Sequence, residues 1–100
     1  MSYRAKHLDY KRHELSDKLT RLRNKMDSER TFIDSKLTWK QYNAIPFNST
    51  YDSWIGSVKS VTNSKSILYA LLQFENAWKE YEVIRRRLEM IIEYQLRDAI

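Results

Sequence analysis

Apolar residues in the first half of the chain recur at Leu8, Leu15, Leu19, Leu22, Met26, Ile33 and Leu37, with steps of four, three and four between 15 and 26. Such steps collect side chains on one narrow stripe of an α-helix. Opposite charges four residues apart flank the stripe at Glu14 and Lys18, Asp17 and Arg21, Arg23 and Asp27, and Arg30 and Asp34, a spacing that supports an exposed helix. The second half carries a broader stripe of Ile67, Leu71, Phe74, Trp78, Tyr81, Ile84, Leu88 and Ile91. Leu68, Leu72, Val83, Ile92 and Leu96 widen it further, so this helix requires cover from two sides.

Between the stripes, small polar residues gather with the sole Pro, Pro46, and the sole Gly, Gly56. This texture marks the connection. The pattern predicts a single all-α domain over 1–100, with helix one at about 4–42, the connection at about 43–56 and helix two at about 57–99. The start of the second helix has two solutions. It begins near 53, capped by Asp52 or Ser53, or near 64, capped by Thr62 or Asn63. A first helix of about 38 residues would run about 57 Å.

Two antiparallel helices hide one seam and would leave the flanks of helix two in water. The expected architecture is therefore an antiparallel two-helix hairpin that completes a four-helix bundle with a partner chain, either a second copy or another helical protein. The residues assigned to the partner interface are Leu15, Leu19, Leu22, Met26, Ile33, Leu71, Phe74, Trp78, Tyr81 and Leu88.

Charge and composition narrow the function classes. Residues 1–42 hold eleven Lys and Arg against six Asp and Glu, whereas 64–100 hold six of each, so the excess of positive charge lies in the first half. The absence of Cys removes disulfides and thiolate chemistry. The basic start of the sequence leads into no apolar core of a cleaved signal, and the longest apolar run, Ile67 to Leu72, is far too short to span a bilayer. No stable membrane insertion is expected.

The residue types that carry catalysis are not found in working patterns. His7 and His13 are six apart, not the three or four that align two metal ligands on a helix. No Gly-rich phosphate loop, Gly-x-Ser-x-Gly or His-Glu-x-x-His is present. Asp17, Glu29 and Glu89 read as parts of a solvated, ion-paired face. The chain is therefore expected to be no enzyme, with no cofactor and no metal. Arg21, Arg23, Lys25 and Arg85, Arg86 and Arg87 could meet phosphates, but acids interleave them and successive helix residues fan about 100° apart. Pairing of Glu82 with Arg86 is the expected alternative, and nucleic acid is not an expected partner. The aromatic residues Trp39, Trp54, Phe74, Trp78 and Tyr81 are assigned to packing.

One combination of residues goes further. Trp54-Ile55-Gly56 lies in the connection between two long helices, and Tyr94-Gln95-Leu96-Arg97-Asp98 closes the second. Together with the chain length this resembles the WxG family of small type VII secretion proteins, helical hairpins with Trp-x-Gly at the turn. The resemblance extends to the related helical partners of LXG-type toxins. It implies that Trp54 packs against a partner's helices at the bend and that Gly56 permits a tight backbone there. It also implies that Tyr94 and Asp98 form an export signal read by the secretion ATPase. The basic first helix, where many relatives are acidic, suits a companion or targeting subunit facing an acidic exported effector. The implied location is cytoplasmic, followed by secretion without a cleaved signal. The reading of the residues alone leaves a structural coiled-coil or phage-type assembly protein, with Trp54 in the core, as the alternative, and a basic nucleic-acid-binding helical dimer behind it.

Overall fold

The computed structural model describes the backbone of residues 3–47 and 49–99. Four helices follow one another: α1 (Tyr3–Lys36), α2 (Trp39–Asn43), α3 (Tyr51–Val61) and α4 (Lys65–Ala99). There is no strand among the described residues. The long helices α1 and α4 pack as a hairpin. They are antiparallel, since Asp9 and Arg12 near the start of α1 meet Gln95 near the end of α4.

The element boundaries differ from those read off the apolar pattern. Helix one stops at Lys36 instead of continuing to 42. Thr38 ends it locally: its backbone is extended, and its hydroxyl accepts a hydrogen bond from the Gln41 amide while the Gln41 side chain accepts one from the Thr38 amide. This reciprocal capping box starts the short α2 afresh. Gln41 also donates from Nε2 to the carbonyl of Val61 at 2.8 Å, satisfying an acceptor exposed where α3 ends.

The connection also contains a helix of its own. Both starts anticipated for helix two are occupied, one by α3 and the other by α4, so the expected continuous helix from 57 is broken. Thr50, rather than Asp52 or Ser53, caps α3 by accepting from the Ser53 amide at 3.3 Å. Thr62 then turns extended, with φ −142° and ψ 147°, and its buried hydroxyl accepts from the Ser64 amide. The Ser64 carbonyl accepts the first bond of α4 from Leu68. A satisfied polar break of this kind interrupts an apolar spacing that alone would have allowed one helix.

The chain divides into two compact units. The first comprises Met1–Asn24 and Ala77–Ile100, the second Lys25–Asn76. In the first, Leu15, Ala77 and Ile84 are buried, while Leu19, Leu22, Tyr81 and Leu88 are half-buried. Two helices facing each other can bury only one line of side chains apiece. The second unit has α3 as additional cover. Its core gathers Met26, Ile33 and Leu37 from around α1, Trp54, Ile55 and Val58 from α3, and Ile67, Ala70, Leu71 and Phe74 from α4.

Candidate functional site

Trp54 and Gly56 sit inside α3, not at a hairpin turn. Trp54 is 3% exposed. Its ring meets Phe74 of α4 edge-on, with centroids 4.8 Å apart, and the guanidinium of Arg30 in α1 lies 5.1 Å from its centroid. Tyr51 presents a second edge to Phe74 at 5.3 Å. Trp54 is thus committed to the core of its own chain, which corrects the expectation that it packs against a partner's helices. The tight backbone expected at Gly56 is also absent: its φ is not positive, and a Cβ placed there would meet nothing within 4 Å. The residue is an exposed helix position.

Tyr94 and Asp98 do lie one turn apart on α4, Tyr94 half-buried and Asp98 exposed. Tyr94 lines a shallow hollow of about 210 Å³ with Leu8, Met90 and Ile91. Gln95, between the two, carries a polar bridge that the apolar spacing did not reveal. Its Nε2 donates to Asp9 Oδ1 at 2.9 Å, and its Oε1 accepts from the Arg12 guanidinium at 3.1 Å. The signal was present in the sequence as Arg12 and Gln95 at positions where the stripes would otherwise place apolar residues.

Of the ten residues assigned to a partner interface, Leu15, Met26, Ile33, Leu71 and Phe74 are buried within this chain, and Leu19, Leu22, Trp78, Tyr81 and Leu88 are half-buried. The five buried residues belong to the chain's own core, while the five half-buried ones keep part of their surface accessible. Within the first unit the uncovered large apolar side chains include Val83, Met90, Ile92 and Leu96, with Met90 70% and Leu96 61% exposed. Val83 and Met90 are two turns apart on one side of α4, and Ile92 and Leu96 are one turn apart on another.

The connection holds the other exposed apolar group. Trp39 and Tyr42 of α2 stack at 6.5 Å and 18°, and Trp39, 78% exposed, is no part of this chain's own core. A short helix with no buried residue cannot hide an indole. Tyr42 borders a hollow of about 380 Å³ whose walls also include Arg30, Asp34, Ile45, Phe47 and Trp54. Burial raises the carboxyl of Asp34 above its ordinary range, and nearby Arg30 offsets part of that rise.

Part of the charged surface of α4 is self-paired. Arg85 reaches back to Glu82 at 2.7 Å and forward to Glu89 at 2.5 Å. Glu82 forms its hydrogen-bonded ion pair with Arg85, three ahead, while the expected Arg86, four ahead, acts on it through its charge. The hydrogen bond from Arg85 is the largest influence holding the Glu82 carboxyl below its usual range. Arg97 pairs with Glu93 at 2.7 Å. Among the described residues no group of three or more His, Cys, Asp or Glu is placed to hold a metal ion. No helix among them is long and apolar enough to cross a membrane.

No protein family, characterised protein or solved structure matches the chain.

Proposed function

We propose that this chain is a non-enzymatic helical subunit that works by seating the flanks of α4 against another helical protein and so completing a four-helix bundle. The observation that supports this is the first unit, where two helices alone leave Val83, Met90, Ile92 and Leu96 uncovered on two sides of α4. Single exposed apolar residues are ordinary, but two lines on one helix, next to the hollow of Leu8, Met90, Ile91 and Tyr94, favour a bundle partner. The setting we favour is type VII secretion, with the chain as companion or targeting subunit of an exported effector or toxin. In that reading Tyr94 and Asp98 supply the signal to the secretion ATPase, and the basic exposed face of α1 meets an acidic partner. The support is the placement of Tyr94 and Asp98 one turn apart at the accessible end of α4.

A second reading is a structural coiled-coil or phage-type assembly protein. The burial of Trp54 against Phe74 favours it, because a core tryptophan needs no secretion partner to explain it. Purification of the tagged chain from its native cell tests the shared part of both. A stoichiometric helical partner, or a second copy, should remain bound to the wild-type chain and be lost from Val83→Lys/Met90→Lys. Recovery of a lone monomer would reject the bundle. Export separates the two settings: Tyr94→Ala/Asp98→Ala should leave the partner bound but abolish appearance of the complex outside the cell. Undiminished export of that variant would remove the signal.

A further inference from the structure

We infer that the connection between α1 and α3 is a docking tip for an anionic lipid surface, on which Trp39, Tyr42 and Phe47 enter the headgroup region while Lys36 and Lys40 meet the lipid phosphates. Phe47 is 95% exposed and Trp39 78%, the two most exposed of the chain's large apolar side chains among the described residues. They belong to one patch. Trp39 stacks on Tyr42, and Tyr42 and Phe47 border the same hollow together with Ile45 and Pro46.

Charge selects the occupant. From Ser35 to Tyr51 the sequence has two lysines and no acidic residue, in a chain where acids otherwise interleave with bases. Asp34, on the wall of the hollow, is within the field of Arg30. Lys36 Nζ lies 5.7 Å from the Phe32 ring centroid, and Lys36 and Lys40 are both exposed. Tryptophan and tyrosine favour the boundary between water and hydrocarbon, and lysines beside them are drawn to anionic headgroups. An acidic helical partner would need a groove or an apolar stripe. This patch has only a local hollow and no long stripe, since its aromatic residues come from a five-residue helix and the turn after it.

Part of the connection's polar backbone is already hydrogen-bonded. The Ala44 amide donates to the carbonyls of Lys40 and Gln41, the Ile45 amide to that of Tyr42, and Ser49 Oγ to that of Pro46. Polar groups already satisfied inside the connection add little penalty when the tip leaves bulk water.

Co-sedimentation with vesicles of phosphatidylcholine alone, or mixed with phosphatidylglycerol, tests the proposal on the full chain. The wild-type protein should sediment with the anionic vesicles and not with the neutral ones. Trp39→Ser/Phe47→Ser should lower that partitioning at least tenfold, and Lys36→Gln/Lys40→Gln should also weaken it, with circular dichroism reporting an unchanged helix content. Lipids brominated on their acyl chains provide a measurement without substitution, since they should quench part of the tryptophan emission. The proposal is overturned if wild-type protein stays in solution at low salt, or if the aromatic variant sediments as well as wild type, which would place binding on the basic face of α1. It is equally overturned if the patch proves to join two copies, seen as self-association lost in the aromatic variant with no vesicle binding.

Discussion

A methyl group added at Gly56 would project into open space from an exposed helix position. Glycine there carries the backbone entropy of the unfolded chain without any gain in fit, so Gly56→Ala should raise stability by about 0.5–1 kcal/mol. Chemical denaturation would register this as a higher midpoint at unchanged slope. A loss of stability would mean that the glycine meets a close neighbour after all, as the WxG resemblance implies. Asp34 offers a residue-scale test with a sign. Its carboxyl is pushed up by burial, so the folded state binds its proton more firmly than the unfolded chain does. The associated stability is complete below the ordinary aspartate range of 3.8 and is lost as pH rises through the raised folded value. Asp34→Asn should therefore melt higher than wild type at neutral pH, and the difference should shrink in acid. An equal offset at both pH values would assign the effect to something other than this titration.

At the scale of the element, Gln41 holds two helix ends together. It accepts from the Thr38 amide, completing the box that opens α2, and donates to Val61 where α3 closes. Gln41→Ala removes both bonds and should cost about 1–3 kcal/mol. Gln41→Glu keeps the acceptor for Thr38 but sets a carboxylate against the Val61 carbonyl, so it should recover little of the loss. Full recovery by glutamate would show that only the cap matters. Gln41 also explains what the sequence withheld. The buried residues Leu15, Met26, Ile33, Ile67, Leu71, Phe74 and Ile84 are legible in the two stripes, whereas the spacing of Trp54, Val58, Leu68 and Leu72 reads as one helix that the structure breaks, with Leu72 50% exposed. The breaks at Thr38 and Thr62 depend on hydroxyls and an amide finding partners three, two and twenty residues away, which no apolar period encodes. The Trp-x-Gly motif was readable as letters, and the start near 53 already offered a helix that contains it; the cap at Thr50 is what the apolar pattern did not locate.

For the molecule as a whole, the contrast between the two units predicts uneven stability. The unit of Lys25–Asn76 has three helices contributing to its core, whereas that of Met1–Asn24 and Ala77–Ile100 has two. Local opening is easiest where few apolar contacts hold the backbone. Amides of residues 6–24 and 80–98 should exchange with deuterium at least tenfold faster than those of 67–74 in the isolated chain. Addition of a bundle partner should slow the first group selectively. Uniform protection along α4 without a partner would indicate that the two-helix unit is already complete.

The bridge of Asp9, Arg12 and Gln95 carries a further consequence. Two smooth apolar ridges can slide past each other by one helical turn, about 5.4 Å, and still bury nearly the same area. A slide of one turn would break both bonds that Gln95 makes with Asp9 and Arg12, so the bridge favours the present alignment. The bridge therefore acts as a vernier, fixing how far α4 extends beside α1 and so the height at which Tyr94 and Asp98 are presented. Replacing Gln95 by leucine would leave a sticky pair of helices with no zero mark.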